Sequence, residues 1–206
     1  MNNNKKFVLL ARSVGKGAMG SVFEGRDPKN GNIVALKRCD GQEDKRGKVE
    51  AQNLEKIRSK NIVRFLGYGY HESHLYIAMD LVVGEDYESF LNKLKSPLTW
   101  MEASKDMRQV MQGMKAVHSL GIIHRDLKPA NLMRKQNGDM VVVDFGTSKQ
   151  VNAVSAACAT MVGEFVGTPV YASPEQHKRA ALTAACDVFS IGVIFVEALT
   201  KKLPFL

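Results

Sequence analysis

"HRDLKPAN" (residues 124–131) follows a helical stretch, and "VVVDFGTSK" (residues 141–149) follows it after a turn signalled by Asn137-Gly138. Read singly, the first is a charged turn and the second a strand end that carries an aspartate. Their weight comes from the segments around them. Upstream lie a Gly-rich connection between two strands and a lysine closing an apolar strand; downstream lies "GTPVYASPE" (residues 167–175).

Before residue 84 short β-type runs dominate, over 7–14, 21–26, 33–38, 62–70 and 75–81. "DPKNGN" (27–32) predicts a hairpin connection between two of them. One charged, amphipathic stretch over 45–58 predicts a helix with Val49, Leu54 and Ile57 as its apolar positions. "GKGAMGSV" (15–22) lies between two predicted strands. Gly15, Gly17 and Gly20 permit tight bends and close approach of backbone N–H groups to phosphate oxygens, or simply a Gly-rich hairpin. Lys37 ends the apolar run "IVALK" (33–37), and a lysine there needs a counter-charge or an exit to water. The amphipathic helix offers Glu50 and Glu55.

After residue 84 the pattern becomes helical. Thr99 predicts an N-cap, with Glu102 completing a capping box. Met107, Val110, Met111, Met114 and Val117 follow at helical spacing as a core stripe, and Gly121 stops the helix. Near the end, Val188, Ile191, Val193, Ile194, Phe195, Val196, Ala198 and Leu199 make a helix apolar on nearly every side, the pattern of a segment buried all round. A strand-rich first part and a helix-rich second part predict an α+β protein with two lobes.

The net charge of +8 favours anionic partners. The basic residues are scattered and no nucleic-acid-binding module accompanies them, so no nucleic-acid partner is expected. Cys39, Cys158 and Cys186 are far apart, without CxxC spacing, which argues against a disulfide framework or zinc site. The apolar runs at both ends are too short for a signal-peptide core or a membrane span. These features predict a soluble, cytoplasmic protein without a membrane partner; no oligomer is indicated.

The Gly-rich loop between strands, "VALK" (34–37), "HRDLKPAN", "DFG" (144–146) and "GTPVYASPE", in that order, resemble the catalytic domain of eukaryotic-type Ser/Thr protein kinases. The resemblance covers residues 7–206, leaving 1–6 as a polar tail. It implies a bilobal protein kinase fold. A small antiparallel N-lobe sheet with one helix would occupy 7–83, and a helical C-lobe 84–206. Family members normally continue with further helices after "TKKLPF", so the resemblance implies a C-lobe lacking its last helices and an incompletely covered final helix.

It also implies site roles. Val14 and Gly15, Gly17 and Gly20 would cover the phosphates of ATP. Lys37 would hold the α- and β-phosphates and pair with Glu50, which fits the family pattern better than Glu55. Asp126 would accept or orient the proton of a substrate hydroxyl, Lys128 would stabilise the transferring phosphoryl, and Thr168 would contact both. Asn131 and Asp144 would hold Mg2+ through oxygen ligands. Met79 would be the gatekeeper. Backbone groups of Asp80 and Val82 would meet the adenine edge, Val22, Ala35 and Met133 its faces, and Asp86 the ribose. Leu54, Phe65, His124 and Phe145 would stack between the lobes, and Asp187 would bind the backbone near His124 and Arg125.

The implied partner is a protein substrate carrying Ser or Thr, since Lys128 and Thr168 resemble Ser/Thr rather than Tyr kinases. Glu164 stands where an activation-segment phosphothreonine is usual and would supply Arg125 with a permanent, weaker anion; Thr160 and Ser155 are further candidate phosphosites. The competing reading is a non-catalytic kinase-like fragment that binds nucleotide or partners.

Overall fold

The computed structural model describes residues 7–17, 20–39, 43–150 and 167–205. Strands β1 (Val8–Gly17), β2 (Gly20–Arg26), β3 (Ile33–Cys39), β4 (Phe65–His71) and β5 (His74–Asp80) form one antiparallel sheet in the order β1-β2-β3-β5-β4. The "DPKNGN" turn closes as expected. Gly31 takes φ 74° and donates to the Asp27 carbonyl at 2.8 Å. Side chains alternate across the sheet. Val34, Leu36 and Ala78 form a small cluster on one face; Cys39, Leu75, Ile77 and Met79 join the main core on the other.

Helix α1 (Glu43–Lys56) packs on that second face. Its buried positions are Gly47, Glu50, Ala51, Asn53 and Leu54. Val49, expected in the core, is 44% exposed. The stripe runs through 47, 50, 51 and 54 at helical spacing, and a charged residue takes an inward place because its charge is paired there.

The run predicted over 62–70 splits. Phe65–His71 enters the sheet, whereas Ile62 bridges in parallel to Val142 and the Val63 N–H donates to the Val142 carbonyl at 3.0 Å. β-type residues at 62 and 63 find their partner in a distant strand rather than in the nearest sheet. This ties the strand-rich part to the helical part.

The second part begins with β6 (Gly84–Asp86), α2 (Tyr87–Lys93) and α3 (Trp100–His118). The capping box at Thr99 forms: the Glu102 N–H reaches Thr99 Oγ1 at 3.3 Å, and the Thr99 N–H reaches Glu102 Oε2 at 2.9 Å. The buried stripe of α3 is Ala103, Met107, Val110, Met114 and Val117. Met111, expected in it, is 54% exposed, because the spacing steps from 110 to 114 and turns 111 away. After the helix, Gly121 turns the chain with φ 68°.

Strands β7 (Ile122–Ile123), β8 (Leu132–Lys135), β9 (Met140–Val142) and β10 (Lys149–Gln150) frame the loops of interest. β6, β8 and β9 form one small sheet, β7 and β10 another. Helices α4 (Pro174–His177) and α5 (Ala185–Thr200) follow. α5 packs against α3 and buries Cys186, Ile191, Val193, Ile194 and Ala198. It is not buried all round: Val188 is 53% and Val196 36% exposed. No helix among the described residues is long and apolar enough to cross a membrane. Cys39 and Cys186 are buried and not joined in a disulfide; Cys158 lies outside the described residues.

Candidate active site

The inner face of β3 brings Lys37 beneath the sheet, opposite Val22 on β2 and Ile77 on β5. Its ammonium donates to Glu50 Oε1 and Oε2, both at 2.8 Å, and to Asp144 Oδ1 at 2.6 Å. All three N–H bonds of the buried lysine are therefore used. Burial pulls the ammonium down, but Glu50 and Asp144 outweigh it and hold Lys37 above its ordinary value. Burial pushes Glu50 up, against the pull of Lys37. Asp144 also feels burial, yet the Lys37 charge and hydrogen bond win and hold it below the usual carboxylate range. Removing one member of such a cluster leaves an uncompensated charge, which costs about 3–5 kcal/mol. Of the two glutamates expected to pair with Lys37, Glu50 meets it and Glu55 lies on the exposed side of α1.

The loop after β7 forms a second cluster. Thr168 Oγ1 donates to Asp126 Oδ1 at 2.8 Å and accepts from Lys128 Nζ at 2.9 Å. Lys128 Nζ is also 3.2 Å from Asp126 Oδ2. Asn131, ending the short 3-10 turn Pro129–Asn131, donates through Nδ2 to the Asp126 carbonyl at 2.8 Å. A hydroxyl, a carboxylate and an ammonium thus share one point, where a carboxylate can take a proton from a hydroxyl and an ammonium can face developing negative charge.

The backbone of this loop is held from below. Asp187, buried in the first turn of α5, accepts from the N–H groups of His124 and Arg125, both at 2.9 Å, and contacts His118 Nε2 at 2.8 Å. Arg125 and Asp144 have φ 71° and 60°. A side-chain-bearing residue in that region costs on the order of 1–3 kcal/mol and persists only where its surroundings fix it. His124 and Phe145 stack edge-on at 4.7 Å; both are fully buried, as is Leu54, with Phe65 packed against the same core.

The other expected residues surround these clusters. Val14, Gly15, Gly17 and Gly20 lie in the β1–β2 hairpin, with Gly15 opposite Val22 and Gly17 opposite Gly20. Val22, Ala35 and Met79 share the Lys37 face of the sheet, Ala35 directly opposite Met79. The Asp80 N–H is committed to the Arg64 carbonyl at 3.0 Å, and its carboxylate to Arg64 Nε and Nη2 at 2.9 and 3.0 Å. Val82, just beyond β5, packs against the core, and Met133 pairs with Asp86 across β8 and β6. Asp86, expected at a ribose, caps α2: its two oxygens accept from Ser89 N at 2.8 Å and Ser89 Oγ at 2.7 Å. Glu164, Thr160 and Ser155 lie outside the described residues.

Among the described residues no group of three or more His, Cys, Asp or Glu side chains could hold a metal by itself. Asp144 and Asn131 are hard oxygen donors. The Val143 N–H, one residue before Asp144, donates to the Asn131 carbonyl at 2.9 Å. Asn131 spends its amide nitrogen on Asp126, which leaves its side-chain oxygen for a cation. One carboxylate and one amide oxygen suit Mg2+, which usually completes its shell with water and substrate phosphates.

A family model for the protein kinase domain matches residues 9–206. The chain belongs to this family. It is 34% identical over 203 residues to a probable serine/threonine-protein kinase PknB of Lactococcus lactis, which covers 95% of this chain and 32% of that protein. It is 32% identical to the serine/threonine-protein kinase PknL of Mycobacterium tuberculosis, over 96% of this chain and 50% of that protein. It is 31% identical to MAP3K epsilon protein kinase 1 of Arabidopsis thaliana, over 96% of this chain and 14% of that protein. The chain thus spans half or less of the length of these relatives.

Several residues of this kinase domain serve the site without having been singled out in the sequence. Thr147 accepts through its carbonyl from Arg125 Nε at 2.6 Å and donates through Oγ1 to the His124 carbonyl at 2.8 Å. Asn53 Nδ2 donates to Ser148 Oγ at 3.0 Å, both buried, joining α1 to the segment after Asp144. Gln176 reaches the Arg125 carbonyl. Only Gln176 carried a sequence signal: "SPEQ" (173–176) is a capping-box pattern.

Proposed function

We propose that this kinase domain transfers the γ-phosphoryl group of Mg-ATP to serine and threonine hydroxyls of protein substrates. The observation that carries the reading is the pairing of two clusters, Lys37–Glu50–Asp144 and Asp126–Lys128–Thr168, in a chain of the protein kinase family. Phosphoryl transfer asks for positioning and charge neutralisation more than for covalent chemistry from the protein.

In this reading the Gly15–Gly20 loop lies over the phosphates, and Lys37, held by Glu50, turns toward the α- and β-phosphates. Val22, Ala35 and Met133 enclose the adenine behind Met79, and Asp80 and Val82 offer backbone groups to its edge. Asp86, at the start of α2, faces the ribose. Asp144 and Asn131 are the oxygen ligands for Mg2+, which when bound supplies positive charge at the phosphates. Asp126 already accepts a hydrogen bond from the Thr168 hydroxyl, and it holds a substrate hydroxyl by the same chemistry. The substrate oxygen forms its bond to the γ-phosphorus, the bond from that phosphorus to the bridging oxygen breaks, ADP leaves, and the hydroxyl proton passes to Asp126. Lys128, 3.2 Å from Asp126, faces the charge on the moving group. The names of the relatives, together with Lys128 and Thr168, favour Ser/Thr over Tyr acceptors.

Incubation with γ-labelled ATP and a mixed protein acceptor tests the proposal. Label on serine or threonine, lost when Mg2+ is chelated, is the expected result. Nucleotide binding without any labelled acceptor would overturn it and favour a non-catalytic nucleotide-binding role.

A further inference from the structure

The carbonyl of Arg125 belongs to the same peptide unit as the Asp126 N–H. Asp187 holds the N–H of Arg125, but not this carbonyl. Gln176 does: its Nε2 donates to the Arg125 oxygen at 2.8 Å. Gln176 is 5% exposed, and its side-chain oxygen is fixed in turn by Ser173, whose N–H and Oγ lie at 3.0 and 3.3 Å. Gly167 closes over this contact. A Cβ there would lie 2.8 Å from the Arg125 oxygen and 3.2 Å from Gln176 Nε2, and its φ of 126° favours glycine. The next residue, Thr168, donates to Asp126. The Gln176 amide therefore clamps the peptide between a strained Arg125 and Asp126, and does so beside the Thr168 contact.

We infer that Gln176 is a positioning residue for phosphoryl transfer, setting the plane of the Arg125–Asp126 peptide and hence the aim of the Asp126 carboxylate. The inference rests on the kinase reading above. Its bonds to Arg125 and Ser173 are separate from those that join Lys37, Glu50 and Asp144, so its loss should spare nucleotide binding and slow transfer.

Two variants test it. Gln176→Leu removes the donor at similar volume; kcat should fall about tenfold or more, since small misplacements of reacting groups are costly, while KM for ATP stays within about twofold. Gln176→Glu keeps an acceptor for Ser173, but it donates to the Arg125 oxygen only when protonated. Its kcat relative to wild type should therefore rise as pH falls from about 8 to about 6, because burial raises a carboxyl's pKa. The Gln176→Leu ratio should stay flat. Gln176→Leu at wild-type kcat, or a Gln176→Glu ratio independent of pH, would overturn the inference while wild-type transfer leaves the kinase reading intact. No transfer by wild type would reject both.

Discussion

Asp144 sits between opposing demands. Burial disfavours its charge, and the Lys37 ammonium at 2.6 Å favours it more strongly. Its folded pKa is thus below that of the unfolded chain, near 3.9. The stability it contributes is complete above that value and is lost as pH falls through the folded value. Glu50, whose folded pKa is raised, works in the opposite sense and partly offsets this. Asp144→Asn should therefore lose less melting temperature than wild type between about pH 5 and about pH 3. Equal losses in the two proteins would mean that Asp144 is not held ionised by Lys37. At this scale the need for a counter-charge at Lys37 was legible, because an apolar strand ended in an ammonium. Which glutamate supplied it was open on spacing alone. The phase of α1 decides it: 50 falls on the face of 47, 51 and 54, whereas 55 does not.

Helices were legible where their signals are local. The Thr99–Glu102 box is complete within four residues and forms as read. The core phases of α1 and α3 were less so, since Val49 and Met111 are apolar but point outward. Two glycines show what the inward faces demand. A Cβ on Gly47 would lie 2.5 Å from Cys39 Sγ and 3.0 Å from Leu75 Cδ2, whereas one on Gly192 of α5 would meet nothing within 4 Å. Alanine gains about 1 kcal/mol of helix propensity over glycine, and overpacking costs about 1–3 kcal/mol. Gly192→Ala should therefore stabilise the protein by up to about 1 kcal/mol. Gly47→Ala should be neutral to destabilising by about 2 kcal/mol, with α1 pushed from β3. Urea unfolding of both variants checks the contrast, and a more stable Gly47→Ala would show that Cys39 and Leu75 yield freely.

Across the whole molecule the two parts of the chain share one apolar core, and polar and backbone contacts fix how they meet. Asn61 is central among them. Its Nδ2 donates to the Met140 carbonyl at 2.8 Å and its own carbonyl accepts from the Val142 N–H at 2.8 Å. Asn61→Ala leaves a buried carbonyl without that donor, so stability should fall by about 1–3 kcal/mol in the same unfolding measurement. An unchanged midpoint would mean that the contact is dispensable. None of this was legible in sequence, because the partners are separated by more than a whole element and pairing depends on topology. The same holds for Asn53 and for the bond from Gln176 to Arg125, both of which reach across the fold, whereas the Ser173–Gln176 cap is a local signal. The motif residues were legible because their order along the chain is itself the signal. The most direct measurement of the central claim is the initial rate of γ-phosphoryl transfer by Asp126→Ala against wild type, at matched ATP occupancy. Loss of a positioned general base predicts a rate lower by about 10²–10⁴-fold with ATP binding retained; transfer at the wild-type rate would contradict the assignment.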